Sequence, residues 1–390
     1  MDRILDLVGE IAQTGEKIPS SPNLVGIELF NGFFLPNGHI DARNLESLDA
    51  NSINRRELLT RFLLLNAVID QGPDIIGVRQ LLVQVTNDLY HSDVRFLHKP
   101  VTFFQELGIA IDQILEKHES IKFVRAEDWA RDNLSRPSRY NLFMDNSTQA
   151  LNYAVFRWGV PLALPLLLDK DSGNNRTRSP LLDYLESFSS AEIMTFNLKS
   201  HERYGLGKAI GNKACHLFAK WLVSVFRLTR KNETTWGPYS FEVPFDSNAG
   251  RVLWRTGYFL NWASEEDYVK HQVIQRGQGK GGLDYIRVTN IRGMSAQGEI
   301  PREIQDAYVE IAINHLATHK KPPKKIEIQR LQHPYLMLTG QTVANFDDGL
   351  IHIGTNYCFN HAQPKCDKCP LNAMCTGYLS SPELIQNYRT

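Results

Sequence analysis

Apolar positions recurring at three- and four-residue steps run through most of the chain and predict a helical protein. Between 54 and 90 the pattern puts Leu58, Leu59, Phe62, Leu63, Leu65 and Val68 on one stripe. Gly72-Pro73 breaks that helix, and Asp74 can cap the next one, over 75–90. The same periodicity predicts helices over 101–117, 125–133, 148–160, 181–189 and 303–315. Ala214, Leu217, Phe218, Trp221, Leu222 and Val225 form a further stripe, which sets Lys213 at the N-terminal end of its helix beside Gly211. Another helix starts at Pro244-Phe245-Asp246-Ser247, with Asp246 near its cap. No sustained strand alternation, internal repeat or low-complexity tract interrupts this pattern.

The breaks between stripes are polar. Residues 1–50 are acidic and turn-rich, with Pro19-Ser20-Ser21-Pro22-Asn23 and Pro36-Asn37-Gly38 as breakers, and read as a small extension without chemistry of its own. A polar stretch between Asp169 and Pro180 reads as a surface connection. The glycine-rich run 276–282 lacks the G-x-x-x-x-G-K-[ST] order of a nucleotide loop and reads as a flexible surface loop able to touch DNA. A basic turn over 319–325 reads as solvated, with a phosphate contact as the alternative.

Composition narrows the class. With 42% hydrophobic and 22% charged residues, the 390-residue chain is of soluble globular type, long enough for about two domains. Its 43 basic and 43 acidic residues cancel, so any nucleic-acid surface must be a local patch. The longest apolar run, Val160–Leu168, contains two prolines and is too short to span a bilayer, and the first ten residues carry acids where a secretion signal needs bases. A cytoplasmic protein is expected.

Cysteine usage agrees with a reducing compartment and supplies the sharpest chemical signal. Four of the five cysteines, Cys358, Cys366, Cys369 and Cys375, follow a C-x7-C-x2-C-x5-C spacing that lets one compact loop bring all four thiols to a single metal centre. Four thiolates suit a cubane iron–sulfur cluster or a structural zinc. Zinc ribbons usually supply two C-x2-C knuckles, whereas this loop has one, and the cluster is the preferred reading. Cys215, left over on an apolar helical face, reads as a small buried hydrophobe.

The cysteine stretch, with Cys369-Pro370-Leu371 and Pro364-x-Cys366, resembles the iron–sulfur loop that closes the endonuclease III branch of the helix-hairpin-helix DNA glycosylases, with one residue more between the first two cysteines. Gly349–Gly354 looks like the short helix leading into that loop. Pro244–Arg255 is similar to the family's catalytic stretch, in which an Asp opens a helix and is followed by Arg-Val and a second Arg. Ala209-Ile210-Gly211-Asn212-Lys213-Ala214 is similar to its hairpin, with Ala209 in place of the first glycine and Lys213 on the Schiff-base lysine. Asp70-Gln71-Gly72-Pro73 resembles the point where the family presents a glutamine to the DNA stack. These motifs occur in the family's order, but Lys213 and Asp246 lie 33 positions apart, farther than in endonuclease III, and the segments flanking the pair are longer than the family's minimal form.

The resemblance implies an all-α, two-domain glycosylase fold with an iron–sulfur loop and long insertions. It divides the chain into an extension over 1–53, a helical-barrel domain over 54–240 with the hairpin near 204–226, and a domain over 241–390 carrying the Asp246 helix, an insertion and a [4Fe-4S] cluster held by the four cysteines. The implied partner is double-stranded DNA containing a modified base, bound by a monomer and not by way of a membrane. Gln71 would fill the gap left by the extruded base, and Gly211, Asn212, Lys365 and Lys368 would meet phosphate. Asp246 would stabilise positive charge on the sugar, and Lys213 would attack C1′, giving AP lyase activity; otherwise water is the nucleophile. A bulky, hypermodified base such as glycosylated phage cytosine, which would make this a defence enzyme, ranks with an oxidised purine, which would make it a repair enzyme. Pyrimidine damage ranks third. Two non-enzymatic classes compete: an iron–sulfur DNA-binding or sensing protein on the same scaffold, and a ferredoxin-like electron carrier. A single cluster at the end of a large helical chain argues against the carrier.

Overall fold

A computed structural model describes residues 3–18, 22, 24, 26–36, 39–47, 53–69, 75–106, 112, 148–173, 178–207, 210–230, 236–244, 246–258, 274–278, 284–288, 332–359 and 363–382. Gln71, Asp74, the expected helices 125–133 and 303–315, and the basic turn 319–325 lie outside them. In chain order the main elements are α1 (Arg3–Lys17), α2 (Arg55–Ile69), α3 (Ile75–His91), α4 (Pro100–Glu106), α5 (Thr148–Ser172), α6 (Pro180–Glu186), α7 (Ala191–Ser200), α8 (Asn212–Lys220), α9 (Ser247–Arg255), β1 (Ile274–Gln278), β2 (Asp284–Val288), α10 (Gln332–Thr339) and α11 (Val343–Asn356). The protein is helix-rich, as the periodicity predicts. The departure is local: β1 and β2 pair antiparallel, Ile274 opposite Val288 and Gln278 opposite Asp284. Residues 276–278 of the glycine-rich run read as a loop are therefore strand. Five-residue strands carry too little alternation to stand out from the sequence. Among the described residues no helix is long and apolar enough to cross a membrane.

The chain forms two compact units, residues 21–237 and residues 1–20 together with 238–390. In the first, α2 is buried along nearly its whole length and packs against α5, α6 and α8. Glu57 of α2, fully buried, accepts hydrogen bonds from the Leu181 and Leu182 amides at 3.1 and 2.9 Å and from Arg61 Nε at 2.7 Å, so a carboxylate from one helix caps the start of another. The expected helix 148–160 continues to Ser172 through Pro161 and Pro165. Each proline removes a backbone donor, but Val160, Leu162, Ala163, Leu164 and Leu167 are buried there, and their burial outweighs the lost bonds.

In the second unit α1 lies on α11. The 1–53 segment is thus divided, its first helix belonging with the cysteine region. Ile4, Leu7, Val8, Ile11 and Ala12 form the buried face of α1. Glycines allow the backbones to touch: a Cβ on Gly349 would sit 1.8 Å from the Ile11 carbonyl oxygen, and one on Gly15 would sit 1.9 Å from that of Asn345. α11, capped by Thr342 Oγ1 accepting from the Asn345 amide at 3.1 Å, packs its other end on α9, where Gly354 abuts Asn248.

Candidate metal centre and catalytic helix

Cys358 follows α11 directly, and its amide bonds the Ile353 carbonyl at 2.8 Å, so the helix ends in the first candidate ligand. A 3-10 turn over Cys366–Lys368 carries the second, with the Cys369 amide closing on the Cys366 carbonyl at 3.2 Å. Cys375 caps the short helix Thr376–Leu379. All four cysteines line one pocket, together with Val252, Arg255, Leu371 and Tyr378. Burial pushes the Cys369 thiol up to about 12 and the Cys375 thiol up to about 11, with the neighbouring cysteines adding to each rise. Burial likewise raises Cys366. Thiols gathered this closely in an apolar recess ionise only when a cation compensates them, and binding a metal would expel their protons. Among the described residues no three His, Cys, Asp or Glu side chains converge where a single ion would sit. Four cysteines around one recess are a donor set that suits either a structural zinc or an iron–sulfur cluster.

Two buried arginines join this recess to the helix that Asp246 opens. Arg251 donates to Asn248 Oδ1 at 2.5 Å, to the Gly354 carbonyl at 2.7 Å and to the Cys358 carbonyl. Arg255, one turn on, donates through Nη1 to the Phe359 carbonyl at 3.2 Å and lies 3.5 Å from Cys358 Sγ. The guanidiniums thus gather carbonyls at the C-terminal end of α11, where the helix dipole is negative. Asp246 has extended backbone, and its Oδ1 accepts from the Asn248 and Ala249 amides at 2.8 and 3.0 Å. It is a true N-cap, half-buried, on a helix locked to the cysteine loop. Arg251 and Arg255 were legible as an i, i+4 pair, but nothing in the sequence says that they grip the loop. Arg3 was not legible at all: its Nη2 donates to the Met374 carbonyl at 2.8 Å and to Thr376 Oγ1 at 2.5 Å, bracing the turn at Cys375.

Lys365 and Lys368 are exposed at the Cys366 turn, and Lys365 Nζ stands 5.6 Å from the centre of the Phe359 ring. Lys213, Gly211 and Asn212 lie in the other unit, at the start of α8. There α7 and α8 pack on each other across the connection 201–211, and Gly205 sits where a Cβ would meet the His201 carbonyl at 2.5 Å. Ala209 falls outside the described residues. Gly211 is the cap of α8, supplies no side-chain bond, and has open space where a Cβ would stand. Half-buried Lys213 is in the first turn. Cys215 is buried, and desolvation pushes its thiol up to about 12, which makes it inert. No family model, curated protein or solved structure matches the chain.

Proposed function

We propose that this protein is a DNA glycosylase of the helix-hairpin-helix type, carrying a [4Fe-4S] cluster, that flips a modified base from duplex DNA and cleaves its N-glycosidic bond. The observation that carries the reading is the joint arrangement of four cysteines around one pocket and an Asp246-capped helix bound to their loop by Arg251 and Arg255. The bound cluster would supply a rigid clip, held by Cys358, Cys366, Cys369 and Cys375, with no redox step needed for glycosidic cleavage. Lys365 and Lys368, on that clip, meet phosphate. The first turn of α8, with Gly211 open in front, holds another phosphate.

As the bond between base and sugar lengthens, positive charge builds on the sugar, and the Asp246 carboxylate stabilises it. With Lys213 as nucleophile, its neutral amine bonds C1′ while the bond's electron pair leaves with the base, which takes up a proton. With water in that role, the product is an abasic site alone. The base is a bulky hypermodified one or an oxidised purine. The test is incubation of anaerobically purified protein with duplexes carrying different modified bases, followed by alkali and by borohydride trapping. Base release with a trapped adduct supports a lysine-using glycosylase and identifies its substrate. Release without an adduct removes Lys213 as nucleophile. Tight binding with no release from any substrate overturns the enzymatic reading in favour of a DNA-binding module.

A further inference from the structure

The first and the last of the four cysteines reach their common recess from different supports. Cys358 ends α11, whereas Cys375 stands at the far end of the loop, where the chain closes with the one-turn helix Thr376–Leu379. A single turn does not hold itself in water, so the last candidate ligand depends on bonds from elsewhere. Two elements supply them. The Thr256 carbonyl, at the end of α9, accepts from the Thr376 amide at 3.2 Å and from Thr376 Oγ1 at 2.8 Å. From α1, Arg3 Nη2 donates to the Met374 carbonyl at 2.8 Å and to Thr376 Oγ1 at 2.5 Å, so one guanidinium straddles Cys375 by bonding the residue on either side. Thr376 is 8% exposed, and its hydroxyl passes the grip on by accepting from α1 and donating to α9. α1 also runs antiparallel along α11, with Gly15 against Asn345 and Ile11 against Gly349, which brings Arg3 to the end of α11 that carries Cys358. One helix therefore touches the supports of both the first and the last ligand.

We infer that Arg3 is a positioning residue for the metal centre: through Met374 and Thr376 it sets Cys375 relative to Cys358, so that seating of α1 and retention of the metal reinforce each other. The inference rests on the cysteine centre of the proposed function, and it holds whether that centre takes iron or zinc. Groups that orient a ligand matter nearly as much as the ligand itself, and removing one typically lowers metal affinity by about 10–100-fold. Reciprocity follows from linkage: whatever α1 adds to metal affinity, the bound metal adds to the docking of α1. The N-terminal end of α1 therefore reports whether the centre is loaded.

The test uses the full chain purified anaerobically with its metal. It reads the rate at which iron and zinc pass to a chromogenic chelator, and the protease sensitivity of α1 before and after the metal is stripped. Arg3→Gln is expected to release metal several-fold faster than wild type, while the two stripped proteins melt alike. Thr376→Val, which removes the shared hydroxyl, is expected to do the same, and Thr376→Ser, which keeps it, to retain the wild-type rate. The double variant Arg3→Gln, Thr376→Val is expected to lose metal little faster than the worse single one, because both cut one connection. Stripping the wild type is expected to open α1 to cleavage, and Arg3→Gln to open it in the loaded protein as well. A wild-type release rate in Arg3→Gln, or a fall in melting temperature that is equal in loaded and stripped protein, overturns the inference and leaves Arg3 a surface bond. Equal protection of α1 with and without metal overturns the coupling. A chain that holds neither iron nor zinc sinks the cysteine centre itself, from which the inference starts.

Discussion

Alanine at Gly349 is expected to be the most damaging small substitution in the cysteine-bearing unit. Its Cβ would stand 1.8 Å from the Ile11 carbonyl oxygen and 2.7 Å from the carbonyl carbon, both backbone atoms that cannot rotate away. Restoring ordinary contact at about 3.5 Å requires α1 and α11 to part by roughly 1.7 Å. A gap of only 0.5–1 Å already forfeits about a quarter to a half of the attraction between facing atoms. The seam it would open is made by Ile4, Leu7, Val8 and Ile11, each 2% exposed or less. At about 1.5–3 kcal/mol of burial apiece, losing that fraction costs on the order of 4 kcal/mol. Scanning calorimetry with limited proteolysis of α1 reads the effect. Gly9→Ala is the internal control: its Cβ would meet only Thr339 Cγ2 at 4.0 Å, so it should stabilise α1 by about 0.5–1 kcal/mol. A Gly349→Ala protein that melts with the Gly9→Ala protein would refute the close approach of the two helices.

Asp246→Asn keeps a good cap, so stability should change by no more than a few tenths of a kcal/mol while base release is lost and DNA binding persists; retained turnover would remove Asp246 from the chemistry. Arg251→Met leaves the buried Gly354 carbonyl without this donor and the Cys358 carbonyl with only the 3.4 Å bond from Arg255, which should cost about 1–3 kcal/mol, measured by chemical denaturation. The hydrogen bond from Arg203, aided by that from Tyr204, holds the Asp171 carboxyl below the usual range. Its stabilisation is therefore present above the ordinary carboxylate pKa and disappears as pH falls through the lowered value. Amide exchange in the 201–206 connection should rise over that acid interval in wild type, and Asp171→Asn should flatten the dependence.

The helices 55–69 and 75–91 were readable because their apolar residues recur at helical steps, although the first is buried all round and not on one side. The Ile4, Leu7, Val8 and Ile11 spacing carried the same signal, but nearby prolines and acids made the region look like an extension, and its partner lies more than 300 positions away. The end of α5 was hidden for the opposite reason, since prolines that usually stop a helix are tolerated inside a core. Within the candidate site, the cysteines and the Asp246 cap could be read because local spacing defines them. The grip of Arg251, Arg255 and Arg3 on the loop could not, because long-range side-chain bonds to carbonyls leave no mark on the acceptor's identity.

The partnership of α1 with α11 also sets a timetable for synthesis. At about 5–20 residues per second, α1 emerges roughly 20–70 s before α11 is made. The unit spanning 21–237 can complete itself meanwhile, because all its strands of chain are already out of the ribosome. Throughout that wait the apolar stripe of α1 has no native surface to cover it, which makes the nascent chain a natural client for chaperones that hold short amphipathic helices. A version in which α1 is moved by permutation to follow the C-terminal region should shorten the wait and raise the soluble yield.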